Sequence, residues 1–482
     1  MGTDAEHKTG VVNGSVAGLA GTFRLGIEEE YFLVDAETKA IAPTVPEALF
    51  TAAKTSTLGR GKCEFLQQQV EVATEPHVDM VKARVELRQL RHTLAAIAAP
   101  HGLAILAAGT HPTAVWTEAQ QTKGERYDAV MHDLQMIGKR NMLCGLHVHV
   151  ELPDPDARVD VMTRMLPYLP IFIALATSSP FWRSRRTGLL GYRLAAYDEL
   201  PRTGVPELFR TRAEFEAYVD TLVRAGVMPD ASFIWWAMRP SIAHPTLELR
   251  APDCCTRLED TLAIAALYRT LARRVFFNPW LNADLTAVSR AVVVENKWRA
   301  QRYGIHGTFV DEGRPREVPF ARWLDQVIEE AAGDAAALGC LDEVLRCRAI
   351  VADGTSADAQ LTVYRQARDK GAEREEALAA VSEWLAETTL GRDGSAQHLR
   401  ARTPYLHPGT AGARTYPDRP VLHVLRPAEA TAVYLDRELT TDLPVTASGC
   451  LLPGGPHRSR RRTILQCRAR PRGIQASHRH PR

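Results

Sequence analysis

Several features that would assign this chain to a class are missing from it. No stretch approaches the ~18 uninterrupted apolar residues of a membrane-spanning helix. The nearest candidate, Leu94 to Ala108, is interrupted by Pro100, His101 and Gly102. Met1 to Gly10 carries acids and polar residues where a signal peptide would carry an apolar core, so a soluble, cytoplasmic protein is expected. Cysteine is scarce: eight in 482 residues, none in a CxxC pair, with Cys254 and Cys255 adjacent, which suits neither a disulfide scaffold nor paired zinc ligands. All eight are expected to be reduced. Walker A, GxGxxG after a strand, GxSxG, SxxK and HExxH patterns are absent, and Leu58-Gly59-Arg60-Gly61-Lys62 is too short for a phosphate loop. A nucleotide bound here would need metals and arginines to hold its phosphates.

Charge is unevenly distributed. The net +2 of the whole chain conceals a net of −8 over residues 1–390 and +10 from Gly391 onward, where lysine is absent and no acid follows Asp442. Ten prolines fall between Pro404 and Pro481. The length allows about three domains at roughly 150 residues each, but the composition suggests a flexible leader over 1–20, one globular domain over 21–390 and a disordered, basic Pro/Arg-rich tail over 391–482. The acidic body would repel anionic substrates unless cations sit in its site.

Hydrophobic periodicity supplies the elements. Arg24 to Val34 alternates Leu25, Ile27, Tyr31 and Leu33 with Glu28 and Glu30, which is the period of a half-buried strand. Further strands are expected over Phe65–Ala73, Leu103–Gly109, Leu143–Glu151 and Thr246–Ala251. A helix is expected over Asp79–Ala99, capped by Asp79, with Val81, Val85, Leu90, Leu94 and Ile97 as its apolar stripe. Helices follow near 258–276, 286–302, 320–337 and 357–388. Alternating strands early and helices late give an α+β fold, an antiparallel sheet covered on one face by helices, whose open face is a natural site floor.

Chemistry-bearing residues concentrate on those strands. Glu28 and Glu30 project to one face about 6–7 Å apart and repel unless a cation intervenes; hard carboxylates suit Mg2+ or Mn2+. His147, His149 and Glu151 share a face opposite Leu146, Val148 and Val150. Glu248 and Arg250 share another, able to hold a metal and to grip a phosphate bidentately, or only each other. Gln67, Gln69 and Glu71 share a third, while Glu64 has the wrong parity and needs a bulge or a strand entry to join them. Asn296, Arg299 and Tyr303 recur at helical spacing. Each set also reads as a plain solvated face.

In their order along the chain, RLGIEEEYFLVD from Arg24, CEFLQQQVEVAT from Cys63, AAGTHP from Ala107, GLHVHVELPD from Gly145, SSPFW from Ser178, HPTLELRAPD from His244 and ENKWRAQRYG from Glu295 resemble the carboxylate-amine ligases, the type 2 glutamate–cysteine ligases. The resemblance covers about Arg24 to Thr389. It implies a glutamine-synthetase-like fold, with an antiparallel sheet forming an open half-funnel that carries metals and ATP. It also implies that Glu28, Glu30, Glu64, Glu71, His147 and Glu248 hold Mg2+ or Mn2+, with His149 a less certain neighbour. Arg250 and Arg193 would clamp phosphate or carboxylate, and Arg299 would help bind the nucleotide. The implied reaction activates the γ-carboxylate of glutamate, or a similar acid, as an acyl phosphate and joins it to an amine such as cysteine. No membrane or nucleic-acid partner is expected, and a homo-oligomer is compatible with it. A metal- and nucleotide-binding module without turnover, and a zinc-dependent amide hydrolase using His147 and His149, are the alternatives. Arg183-Ser184-Arg185-Arg186 and Ala196-Tyr197-Asp198-Glu199-Leu200 depart from the family's glycine- and aromatic-rich run and bear on the substrate.

Overall fold

The computed structural model describes residues 23–392. The leader over 1–20 and the tail beyond Arg392 lie outside the described residues. Among the described residues eleven strands form: β1 (Leu25–Asp35), β2 (Gly61–Cys63), β3 (Gln69–Ala73), β4 (Leu103–Leu106), β5 (Leu146–Glu151), β6 (Phe181–Trp182), β7 (Arg185–Arg186), β8 (Met238–Pro240), β9 (Thr246–Leu249), β10 (Thr308–Asp311) and β11 (Arg316–Pro319). Seven make one antiparallel sheet in the order β2-β3-β1-β5-β9-β8, with β4 paired to the far end of β1. The pairs β6-β7 and β10-β11 are separate hairpins.

The alternation in β1 does what its period requires. Leu25, Ile27, Tyr31 and Leu33 are buried beneath the sheet, where the helices Met80–Ala98 and Leu258–Phe277 pack. The second of these is buried along most of its length, as a helix lying between a sheet and further helices must be. The expected α+β class is therefore the observed one. The C-terminal part of the described residues is mostly helical, with helices Ala287–Tyr303, Phe320–Ala337, Leu341–Asp353, Ser356–Asp369 and Arg374–Thr389.

Some expectations need correction. Asp79 does cap its helix, accepting from the Val81 and Lys82 amides, but the buried stripe is Met80, Ala83, Leu87, Leu90, Leu94 and Ala98. Val81 and Val85 are exposed. The buried face is rotated because it must carry Arg91 inward. The strand expected over Phe65–Ala73 begins only at Gln69; residues 64–68 form a turn between β2 and β3, and Gln67 lies in it, bonded to Gln120 and Gln121 carbonyls. The single helix expected over 357–388 is two, separated at Gly371, whose φ of 89° reverses the chain. The short strands β2 and β8 and both hairpins had no periodicity long enough to read. The six cysteines among the described residues are free thiols, five of them buried.

A carboxylate-lined sheet face as candidate active site

Register places the polar side chains of neighbouring strands side by side. Glu30 pairs with Glu71 and Glu71 with Lys62; Glu28 pairs with His147; His149 pairs with Glu248 and Glu248 with Arg239. All point away from the helix-covered side, so the open face carries a row of charge across six strands. The β2–β3 end is acidic and the β8–β9 end basic.

Three overlapping sets on this face have ligand atoms within 4.8 Å of one another: Glu30, Glu64 and Glu71; Glu28, Glu71 and His147; and Glu28, His149 and Glu248. Glu64, whose parity was wrong for a continuous strand, reaches the first set because the strand breaks after Cys63. Burial, with Glu30 and Glu28 adding repulsion, lifts the Glu64 carboxyl to about 7. Burial and the charges of Glu28, Glu64 and Glu30 push Glu71 well above the carboxylate range. Burial would raise Glu28 too, but hydrogen bonds from His147 and His149 outweigh it and hold this carboxylate well below the usual range. Desolvation lowers His147, whereas for His149 the Glu28 carboxylate overcomes desolvation and raises it.

The donor set fits a hard divalent cation. Nε2 of His147 and Nε2 of His149 are buried without a hydrogen-bond partner, 3.7 Å from Glu30 Oε1 and 3.5 Å from Glu28 Oε1. His149 is oriented by Thr246 Oγ1 at 2.8 Å on its other nitrogen, as a metal-ligating imidazole usually is. Buried carboxylates this close stay ionised together only with positive charge among them. Mg2+ or Mn2+ suits such oxygens, which are joined by one imidazole in two of the three sets and by none in the third.

At the basic end Glu248 lies between two guanidinium groups. Arg239 donates to it through Nε at 2.7 Å and Nη2 at 3.3 Å, and Arg250 donates through Nη1. Burial would raise the Glu248 carboxyl, but the two arginines hold it far below the ordinary carboxylate range. Arg250 reaches Tyr197 Oη at 3.4 Å, and its Nε is buried without a partner.

Arg193 lies on the short helix Tyr192–Tyr197, buried against the start of β5. Its Nη1 donates to the Pro252 carbonyl at 3.1 Å, and its guanidinium stacks over Tyr197 at 5.6 Å. Gly145 makes this approach possible: a Cβ there would lie 2.1 Å from Arg193 Nη2 and 3.2 Å from His147 Nε2. The same glycine's N–H donates to Glu30 Oε2.

The motifs that were separate in sequence meet at Asp253. Its Oδ2 accepts from the Ser178 amide at 3.0 Å and from Ser179 Oγ at 2.6 Å; Ser179 Oγ in turn accepts from the Arg193 amide at 2.9 Å. Ser178 Oγ accepts from the Gly109 amide, and a Cβ on Gly109 would lie 2.5 Å from the Asp253 carboxyl carbon. Ser178 and Ser179 thus tie the helix bearing Arg193 to the end of the strand bearing Glu248.

Arg299 is not among the residues drawn to this face. Its guanidinium donates to the Thr308 carbonyl and hydroxyl and to Glu317, while Asn296 pairs with both backbone groups of Val310. That helix face braces the β10-β11 hairpin. From the same helix, the buried Lys297 forms an ion pair with the exposed Asp198, and the Gln301 carbonyl accepts from Leu190 and Gly191. The departing segment at 196–200 is therefore built in, not loose. Sequence reasoning missed Arg239, Tyr197 and Asp253; Arg239 and Asp253 carried no periodic signal, and Tyr197 stood in the segment already set aside.

An antiparallel sheet with a carboxylate-lined open face and arginines at its far end is the arrangement expected of a carboxylate-amine ligase. The chain belongs to glutamate-cysteine ligase family 2 (GCS2), whose model matches residues 24–383. It is 53% identical over 393 residues to "Putative glutamate–cysteine ligase 2" of Bradyrhizobium sp. (strain ORS 278), covering 81% of this chain and 94% of that one. A protein of the same name from Rhodospirillum rubrum is 46% identical over 381 residues, covering 78% and 98%. Among solved structures, a glutamate–cysteine ligase from Francisella tularensis in complex with AMP has a similar fold, with a TM-score of 0.55 at 14% identity, covering 80% of this chain and 96% of that one. No helix among the described residues is long and apolar enough to cross a membrane.

Proposed function

We propose that this protein is an ATP-dependent ligase that activates a substrate carboxylate, the γ-carboxylate of glutamate first among candidates, and joins it to an amine such as that of cysteine. The observation that carries this is the run of three overlapping ligand sets along one sheet face, from Glu64 and Glu71 across to Glu248, where Arg250 adjoins the last of them, in a chain of the glutamate–cysteine ligase family. Glu28, Glu30, Glu64, Glu71, His147 and Glu248 would hold Mg2+ or Mn2+, with His149 completing the set around Glu28. Such ions neutralise phosphate charge and favour the attack of one anion on another.

The chain's own residues do the rest. Arg250, whose Nε has no partner, would bind anionic phosphate, and Arg193, immobilised by the Pro252 carbonyl, presents a second guanidinium beside His147. The carboxylate oxygen of the acid attacks the terminal phosphorus of ATP, ADP leaves, and the resulting acyl phosphate is attacked by the amine, releasing phosphate. Fixed arginines and carboxylates supply this reaction with alignment and electrostatic stabilisation and need not bond covalently to substrate. Arg299, taken up by Thr308 and Glu317, supports the hairpin in this reading.

Incubating the protein with ATP, Mg2+ and glutamate labelled with 18O in its γ-carboxylate, with and without a panel of amines, tests the proposal. ADP and 18O-bearing phosphate are expected only with an acceptor. Phosphate free of label, or release unaffected by any acceptor, rules the reaction out. The four carboxylates around His147 and His149 favour a hard cation over zinc, so an ATP-independent amide hydrolase has no observation in its support.

A further inference from the structure

Two arginines share Glu248, and they are held very differently. Arg239 uses both ends of its guanidinium: Nε and Nη2 fork the carboxylate, while Nη1 is fixed by the carbonyls of Ile234 at 2.7 Å and Ser232 at 3.2 Å. Arg250 has one bond to Glu248, a long one to Tyr197 Oη at 3.4 Å, and a buried Nε with no partner. Two cations and one anion leave the trio with one surplus positive charge. That surplus resides on the arginine with least to lose by moving.

We propose that Arg239 is a positioning residue that holds and neutralises Glu248 so that Arg250 is free to pass from Glu248 to the phosphates of the nucleotide. A buried carboxylate with one guanidinium partner does not release it readily, because release leaves an unpaired charge out of water. The Arg239 fork removes that penalty. Arg239 itself cannot reach a phosphate without abandoning two carbonyls, so it stays where β8 places it, opposite Glu248 in register. This inference rests on the reading of the face as a nucleotide site, and it divides labour between two residues that charge alone would make equivalent.

The variants Arg239→Gln and Arg239→Lys test it in the full-length protein, with Mn2+ affinity measured calorimetrically without nucleotide, ATP affinity measured in saturating Mn2+, and Tm recorded. In Arg239→Gln, Mn2+ binding alone should stay within about 2-fold of the parent or tighten, because a competing cation is gone from Glu248. ATP binding should weaken by about 10-fold or more, because an ion on one oxygen of Glu248 leaves the other oxygen, without the Arg239 fork, to retain Arg250. Arg239→Lys keeps the charge but not the fork and should fall between. With turnover followed, the loss should appear in KM for ATP ahead of kcat. Parallel weakening of Mn2+ and ATP together with a large fall in Tm would show a merely structural residue and overturn the proposal, as would unchanged ATP affinity in both variants. If the parent protein bound no ATP, the nucleotide reading itself would fall, and this inference with it.

Discussion

Glu29 stands between the two open-face carboxylates Glu28 and Glu30 in sequence, yet it points through the sheet to Arg91, whose Nη2 and Nε donate to it at 2.6 Å and 2.9 Å in a site closed to solvent. The same guanidinium donates to the carbonyls of Cys255, Thr256 and Thr389, and Thr261 Oγ1 donates to Glu29. One buried ion pair thereby fastens β1 to two helices and to the last described helix, directly behind the reactive face. Geometry on the site face is stiffened from beneath.

The first prediction concerns that pair. Arg91→Met removes the cation and leaves Glu29 buried and uncompensated, which should cost about 3–5 kcal/mol. Denaturant unfolding should show the loss, and Glu29→Gln with Arg91→Met should recover part of it. A single variant as stable as the parent would mean that Glu29 finds another partner.

A second prediction separates carboxylates that look alike in sequence. Glu71 is destabilised by burial and by its acidic neighbours, so Glu71→Gln should leave the metal-free protein as stable as the parent or more so. Glu248 is stabilised by two arginines, so Glu248→Gln should lower stability by about 3 kcal/mol, since it leaves those arginines facing each other. Both should lose turnover, and Glu71→Gln should bind Mn2+ at least about 10-fold more weakly. Differential scanning calorimetry of the metal-free variants checks the contrast; equal Tm changes of the same sign would refute it.

The third prediction uses the close approach at β5. Gly145→Ala would set a Cβ at 2.1 Å from Arg193 Nη2, and Arg193 cannot withdraw without giving up the Pro252 carbonyl. The contact involves a side-chain end and not backbone, so the chain should still fold, with Tm within a few degrees of the parent. Turnover should drop by about 10-fold or more as Arg193 and His147 shift. Parent-like rates would show that Arg193 is not part of the reactive geometry.

Much of this is legible in the sequence alone. Strict alternation in β1 puts Glu28 and Glu30 on one face because a strand has only two. The same rule assigns Glu29 to the other face, but its partner Arg91 is 62 residues away, on a helix whose rotation the valines at 81 and 85 misreported. Glu64 failed the parity rule because a turn, not a strand, follows it. Arg239 was invisible because β8 is three residues long and ends in a proline, too short for a period, and its pairing with Glu248 is a matter of register. Asp253 closes the HPTLELRAPD motif, yet its role as a junction depends on four segments meeting, which no local pattern encodes.

The last prediction is a pH dependence with a definite sign. Burial and acidic neighbours raise the Glu64 carboxyl from an ordinary 4.5 to about 7 in the folded, metal-free protein, and Glu71 moves in the same direction. A group raised on folding gives its full contribution to stability below its unfolded value and loses it as pH rises through the folded one. The metal-free protein should therefore lose stability between about pH 4.5 and 7. A divalent cation needs these carboxylates ionised, so at Glu64 it must displace a proton at pH 6 and seldom at pH 8. The rise in Tm produced by a fixed Mg2+ concentration should be larger at pH 8 than at pH 6. Calorimetry in buffers of different ionisation enthalpy should find proton release on Mn2+ binding at pH 6. A cation-induced rise in Tm that is the same at both pH values, with no proton release, would place the cation away from Glu64 and Glu71.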